Sequence, residues 1–321
     1  MADSADLYRT VRLIRRFEQQ AIEMVRSGVI AGGIHPYIGE EAIAAGACAA
    51  LRADDLITST HRGHGHVLAK GADPARMLAE LAGRETGLNG GRGGSMHAAD
   101  VSAGIYGANA IVGAAAAIAA GAAWSLQRAG HDRVVVTFFG DGAVNQGVLL
   151  EALNLASLRR LPLIFVCENN RFATSMRVQD TTAGTITGRA EAFGIPAQAI
   201  DGMDPEAVLE AASGAVARAR AGAGPTFLEC LTYRFDAHHT WEHAVRPRYR
   251  TDEEVAAGRA RDPVDIQAAR VPAAARARID EEIEELLDRA RRFVDASPEP
   301  DPSGALEYLY ADGLRGRAGT A

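Results

Sequence analysis

Apolar residues recur at helical spacing near the start of the chain. Leu7, Val11, Ile14, Phe17, Ala21 and Val25 predict an amphipathic helix over residues 5–27, ending at Gly28. Further along the period changes. Val134-Val135-Val136-Thr137-Phe138-Phe139 and Leu163-Ile164-Phe165-Val166-Cys167 are continuous apolar runs. That is the pattern of strands buried on both faces of a parallel sheet. A helix over 145–159, another near 188–193 and a strand over Thr226–Leu231 make residues 134–232 an alternation of strand and helix. Before this core, the pattern predicts an alanine-rich helix over 39–51 and a short strand over 54–59. A helix from Pro74 to about Leu81 and one over Ile111–Trp124 follow. The last carries Gly113, Ala117 and Gly121 four apart, a small-residue face that lets another helix approach closely. Residues 87–108 are glycine-rich and aperiodic, and read as a long functional loop. From Thr251 the chain is charged and helical, with Ile279, Ile283, Leu286 and Leu287 at helical spacing. No internal repeat is visible. The expected fold is α/β, a mostly parallel sheet flanked by helices. Residues 1–270 form that domain with an N-terminal helical extension, and 271–321 form a C-terminal helical tail.

Composition narrows the class. Of 321 residues 47% are hydrophobic, enough for a sizeable core, and the net charge of -7 points away from nucleic acid and from a basic membrane face. No run reaches the roughly 18 apolar residues of a membrane span. The acidic start, Met1-Ala2-Asp3-Ser4-Ala5-Asp6, lacks an apolar signal segment. Cys48, Cys167 and Cys230 sit in apolar runs without motif spacing. They read as reduced core residues of a cytoplasmic protein.

The chemistry concentrates where the two apolar runs end. The first is followed by Gly140-Asp141-Gly142-Ala143-Val144-Asn145-Gln146-Gly147, the second by Glu168-Asn169-Asn170. Neighbouring strand ends would thus present a carboxylate, Asp141, and an amide oxygen from Asn169 or Asn170. Hard oxygen ligands without His or Cys suit magnesium completed by phosphate and water. The glycines let backbone N–H groups approach a diphosphate. Elsewhere His61, His64 and His66 flank Arg62, and His238 and His239 stand together. The first three could also be a zinc cluster, although Arg62 would put a fixed charge beside the metal. Glu40 and Glu41 open a helix and are expected to complement its dipole.

Gly-Asp-Gly, then 26 residues, then Asn-Asn is the signature of thiamine-diphosphate enzymes. The string from Gly140 to Asn170 resembles the alpha subunit of the thiamine-dependent decarboxylase component of 2-oxo-acid and acetoin dehydrogenase complexes. Four other segments share the likeness, which covers roughly residues 5–270: Ser59–His66, Gly91–His97, Ala108–Gly113 and Thr232–Thr240. The stretch Gly65–Asp100 looks closest to the acetoin branch. The resemblance implies a thiamine-diphosphate-binding fold in which Asp141, Asn170 and the backbone carbonyl of Phe172 hold magnesium. It implies that His61, Arg62, Ala110, Val112, Gly140, Gly142, Ala143, Asn170 and His239 bind the cofactor. His239, directly before Thr240, is the favoured catalytic residue, with His238 second. His64 is expected to hydrogen-bond substrate or intermediate, and His35 to lie near the substrate.

Phe172 stands where many members have Tyr, Ala110 where Gly is common and His61 where Tyr is common. The loop after His239 lacks the Ser-containing acidic segment of the pyruvate and branched-chain enzymes, so the substrate stays open between a 2-oxo acid and acetoin. The loop from Asp236 to Arg250 is expected at the mouth of the cofactor channel, mobile without cofactor and ordered with it. The family forms its reactive species with a Glu from a pyrimidine-binding domain, for which this chain has no room. The implied partners are a beta subunit supplying that domain and Glu, in an α2β2 assembly, and the lipoyl domain of an acyltransferase. Two other readings remain at this point: a catalytically degenerate alpha-like binding subunit, and a metal hydrolase built on the histidine cluster.

Overall fold

The computed structural model describes residues 2–242 and 248–306. Residues His243 to Pro247, inside the Asp236–Arg250 loop, and 307–321, the end of the expected tail, lie outside the described residues. The first helix, α1 (Ser4–Arg26), is capped by Asp3, whose side chain accepts from the N–H groups of Ala5 and Asp6, and it buries Leu7, Val11, Ile14, Phe17 and Ala21. The chain continues through α2 (Glu41–Ala49), β1 (Leu56–Thr60), α3 (His64–Ala69), α4 (Pro74–Leu81), β2 (Ile105–Asn109) and α5 (Ala114–Arg128). Next come β3 (Val135–Gly140), α6 (Gly147–Arg159) and β4 (Leu163–Asn169). A hairpin of β5 (Phe172–Ala173) and β6 (Met176–Arg177) leads to α7 (Val178–Thr181) and α8 (Ile186–Glu191). Then β7 (Ala197–Asp201), α9 (Pro205–Arg220) and β8 (Thr226–Leu231) complete the core, and helices Asp252–Arg259, Pro263–Ala268 and Ala273–Ala296 follow.

Six strands form one parallel sheet in the order β2-β1-β3-β4-β8-β7. Alternate residues serve opposite faces, as the strand period requires. Ile57, Val136, Phe138, Ile164, Val166 and Leu228 join the core beneath α1, α2 and α9. Leu56, Val135, Phe139, Phe165, Cys167 and Phe227 join a second core with α5, α6 and α8. The helix Ala273–Ala296 belongs to the first core, burying Ile279, Ile283 and Leu287. Arg12 and Arg16 of α1 clamp its Asp280 and Glu284.

The structure corrects the expected element list in five places. The supposed loop 87–108 contains β2, an edge strand broken in pattern by Gly107. The histidine segment runs into the short helix α3, which has no apolar period to announce it. The strand β7 is a partly exposed edge of mixed polarity. The helix α9 had legible signals, Asp204 as cap and Pro205 at its first position, but fell outside the expected alternation. It packs so tightly on α2 that a Cβ on Gly46 would lie 2.6 Å from the carbonyl oxygen of Pro205. The helix expected from Ile111 begins at Ala114, because Gly113 adopts φ 86° and leaves Ile111 and Val112 outside the helix.

Strand order reverses between β1 and β3, since β1 leads outward to β2 while β3 leads to β4 on the other side. Open parallel sheets bind ligands at such a switch point, outside the carboxyl ends of the strands. Among the described residues, no helix is long and apolar enough to cross a membrane.

Candidate active site

A cavity of about 450 Å³ opens at that switch point. Its walls are the carboxyl ends of four adjacent strands: Thr60-His61-Arg62 after β1, Asn109 to Gly113 after β2, Phe139 to Ala143 at β3, and Glu168 and Asn170 at β4. In the β3–β4 register Gly140 faces Glu168, so Asp141 and the Asn pair leave neighbouring strands side by side. The two asparagines then diverge. The Asn169 side chain turns away, donating to Glu229 Oε1 at 2.7 Å. Asn170 lines the cavity; its Oδ1 accepts from Phe172 N at 3.1 Å and its Nδ2 donates to Glu40 Oε1 at 3.0 Å.

The buried Asp141 carboxylate has an Oδ2 without a hydrogen-bond partner among the described residues. Burial raises its pKa to about 6, against the pull of the Gly142, Arg171 and Phe172 N–H groups and the Arg234 charge. A buried acceptor left unmet marks a place where a donor or cation belongs. The donor set suits a hard cation: a carboxylate and an amide oxygen with a lone pair to spare. The turn is also built for close approach, because a Cβ on Gly142 would lie 2.8 Å from Ala173 Cβ while one on Gly140 would meet almost nothing.

The opposite wall is cationic and histidine-rich. Arg62 is buried: Nη1 donates to Pro36 O at 2.6 Å, Nη2 to His238 O at 3.1 Å, and Nε forms an ion pair at 3.2 Å with Glu40 Oε2, which has no hydrogen-bond partner among the described residues. Burial lowers its pKa, opposed by Glu40. Around it the rings of His35, His61 and His238 form a triangle with centroids 4.9 to 5.1 Å apart. Burial, then the Arg62 charge, lowers His35 to about 2 and His61 to about 3, and lowers His238 as well. All three rings are therefore neutral at pH 7. Burial raises Glu40 to about 7, although Arg62 opposes it.

Residues 9–303 match the family model described as dehydrogenase E1 component. The chain belongs to the dehydrogenase E1 component family. It is 40% identical over 316 residues to the alpha subunit of acetoin:2,6-dichlorophenolindophenol oxidoreductase of Bacillus subtilis, covering 97% of this chain and 94% of that one. It is 42% identical over 312 residues to the Cupriavidus necator protein of the same name, covering 95% and 93%. It is 40% identical over 318 residues to the pyruvate dehydrogenase E1 component subunit alpha of Rhizobium meliloti, covering 97% and 89%. It is thus an oxidoreductase of a family that in general depends on thiamine diphosphate.

Within this E1 chain the cavity gathers His35, His61, Arg62, Ala110, Val112, Gly140, Asp141, Gly142, Ala143, Asn170, Phe172 and His238. Two expected site residues stand apart. His239 lies outside the cavity wall, its ring centroid 5.8 Å from that of His35. Its Nδ1 accepts from Trp241 N at 3.1 Å, which places the ring proton of the neutral form on Nε2. His64 is wholly buried away from the cavity, with Nδ1 3.0 Å from both Glu18 oxygens and Nε2 2.9 Å from Ser95 Oγ. His66 is equally buried, between Ser59, Tyr37 and Glu168, and stacks on Phe138. The three histidines therefore point to three places, and among the described residues no group of three or more His, Cys, Asp or Glu side chains is placed to hold a metal. The zinc-cluster reading has no geometry here.

Sequence reasoning passed over Glu40 and Glu168. Glu40 was assigned to the dipole of α2, yet its side chain makes no cap bond and turns to the cavity; Glu41 instead accepts from Gly39 N and pairs with Arg15. Glu168 was visible beside the asparagines; Tyr37 and His66 now hold its Oε1 at the cavity wall.

Proposed function

We propose that the chain is the alpha subunit of a thiamine-diphosphate-dependent 2-oxo-acid or acetoin dehydrogenase. It would work with a beta subunit in an α2β2 assembly and deliver acyl groups to the lipoyl domain of an acyltransferase. The observation that carries the reading is the unmet Asp141 Oδ2 beside Asn170, on adjoining strand ends, across a cavity from Arg62. Asp141, Asn170 and the Phe172 carbonyl would hold magnesium. Arg62 and the backbone around Gly140, Gly142, Ala143, Ala110 and Val112 would hold the diphosphate, since a guanidinium binds phosphate oxygens in pairs. When bound, thiamine diphosphate supplies the nucleophilic carbon and the electron sink for cleavage beside a carbonyl.

The chain's own groups do the rest. Neutral His35 and His61 offer ring N–H groups to a substrate oxygen without adding charge. His238 anchors Arg62 through its carbonyl, and His239, with its proton on Nε2, is the candidate donor to a developing alkoxide. His64 acts at one remove, tying α1 to the glycine-rich loop. A partner is supported by the cavity mouth, where Ile111 and Val112 are 70% and 50% exposed. Such apolar exposure suits a covered surface. The relatives' names include both pyruvate and acetoin, and a 2-oxo acid and an acyloin present the same carbonyl to this wall. The test is reconstitution: the chain with a beta subunit should reduce a dye acceptor with pyruvate or acetoin only when thiamine diphosphate and magnesium are present. The isolated chain should not. Turnover by the chain alone would overturn the split site, and an assembled but inert complex would favour a degenerate binding subunit.

A further inference from the structure

Glu40 occupies a position where a carboxylate is costly. It is buried, it is the residue before α2, and its side chain caps nothing. Its backbone is fixed from both sides. Gly39 adopts φ 101° and would clash with the Tyr233 carbonyl oxygen if it bore a Cβ, and α2 itself is locked against α9 through Gly46. The carboxylate reaches two groups from different strand ends. Oε1 accepts from Asn170 Nδ2 at 3.0 Å, and Oε2 lies 3.2 Å from Arg62 Nε. With Nδ2 on Glu40 and Oδ1 accepting from Phe172 N, the Asn170 amide cannot rotate, and the second lone pair of Oδ1 remains for a ligand. Breaking such a buried pair from one side is expensive, yet as a source of fold stability it is weak.

We propose that Glu40 is a positioning residue that joins the metal-side amide, Asn170, to the diphosphate-side guanidinium, Arg62, as one unit. This rests on the function proposed above. Groups that orient a ligand in this way set metal affinity without touching the metal. The partition of labour with Glu41 fits. Glu41 takes the Gly39 N–H and Arg15, the structural partners, and leaves Glu40 free for the site.

The test uses the assembled complex with its beta subunit and reads the magnesium concentration that gives half-maximal thiamine-diphosphate binding by calorimetry. Glu40→Ala should raise that concentration about 10–100-fold, the usual loss when a group orienting a metal ligand is removed. Glu40→Gln, whose amide oxygen still accepts from Asn170, should return to within about threefold of the parent, because the lost ion pair lies on the Arg62 side. Glu40→Asp keeps the charge but is a methylene too short to span both partners. It should behave like the alanine variant, and carries the test if that variant does not fold. An unchanged magnesium requirement in Glu40→Ala or Glu40→Asp, or a glutamine variant as impaired as they are, overturns the inference alone. A parent complex that binds no thiamine diphosphate overturns the functional reading and this inference with it.

Discussion

The two walls of the cavity were specified in different ways. On one, Asp141 and Asn170 leave β3 and β4 from adjacent positions of a parallel register, and any sequence that builds those strands must bring them together. On the other, the histidines of 61–66 and 238–239 are placed by groups remote in sequence. Glu18 of α1 draws His64 inward, Glu168 of β4 draws His66, and Arg62 fixes the His238 carbonyl. A strand end is a rigid, repeating geometry, whereas a loop histidine goes where its partner is. The chemistry of the first wall follows from spacing, and that of the second only from contacts.

The strongest challenge to the contrast is to remove the first wall. Asn170→Ala in the assembled complex should weaken magnesium-dependent thiamine-diphosphate binding at least about 100-fold while circular dichroism stays native, because a site with few protein ligands cannot spare one. Asn169→Ala, on the side chain that turns toward Glu229, should leave the magnesium requirement near that of the parent. Equal losses in the two variants would erase the distinction drawn between the asparagines.

The second wall is tested by the paired histidines. His239→Ala should slow single-turnover cleavage by about 10²–10⁴-fold with little change in cofactor affinity, the range for a lost general acid. His238→Ala should slow it less and weaken diphosphate binding, since it keeps the carbonyl but removes the ring Nδ1 that lies 3.2 Å from Arg62 Nη2. The opposite order would make His238, which already lines the cavity, the donor. His64→Ala sharpens the comparison from the structural side. It should cost about 3 kcal/mol of stability in thermal or denaturant unfolding, the order for a buried pair broken from one side. Turnover per folded site should change far less than in His239→Ala. A collapse of turnover without loss of stability would return His64 to the catalytic set.

The smallest effect is a pH dependence. His35 has its folded pKa lowered to about 2 by burial and Arg62, from an ordinary value near 6.5. The unfolded chain therefore binds the proton first, and the stability tied to neutral His35 is full above about pH 6.5 and is lost progressively as pH falls toward 2. Asp141 and Glu40 act with opposite sign, as folded-state carboxylates with raised pKa values. The informative quantity is the difference between variants. Between pH 7 and pH 5 the melting temperature of His35→Asn should fall less than that of the parent. A parallel fall would show that His35 is not held neutral.

Much of the fold was legible because its strands are buried on both faces and advertise themselves as unbroken apolar runs. The edge strands β2 and β7, exposed on one side and interrupted by Gly107 or mixed with polar residues, gave no such run. The helix α9 was readable from Asp204-Pro205 and the spacing of Val208, Ala212, Ala215 and Ala219. The alanines on that face are weak markers of burial, and their tight seat on Gly46 is visible only in three dimensions. In the site, glycine-flanked Asp141 and the asparagine pair could be read from their spacing. Glu40 could not, because a carboxylate before a helix has a ready local explanation and its true partners lie 22 and 130 residues away.

On the function proposed here, the unmet oxygen of Asp141 and the amide oxygen of Asn170 share one divalent cation at the β3–β4 ends. Crystals of the chain with its beta subunit, grown with thiamine diphosphate and manganese in place of magnesium, test it most directly through the anomalous signal of the metal. One peak is expected about 2 Å from both Asp141 Oδ2 and Asn170 Oδ1, near the oxygen distance of a magnesium-type site. A peak among His35, His61 and His238, or cofactor density with no metal beside Asp141, would contradict it.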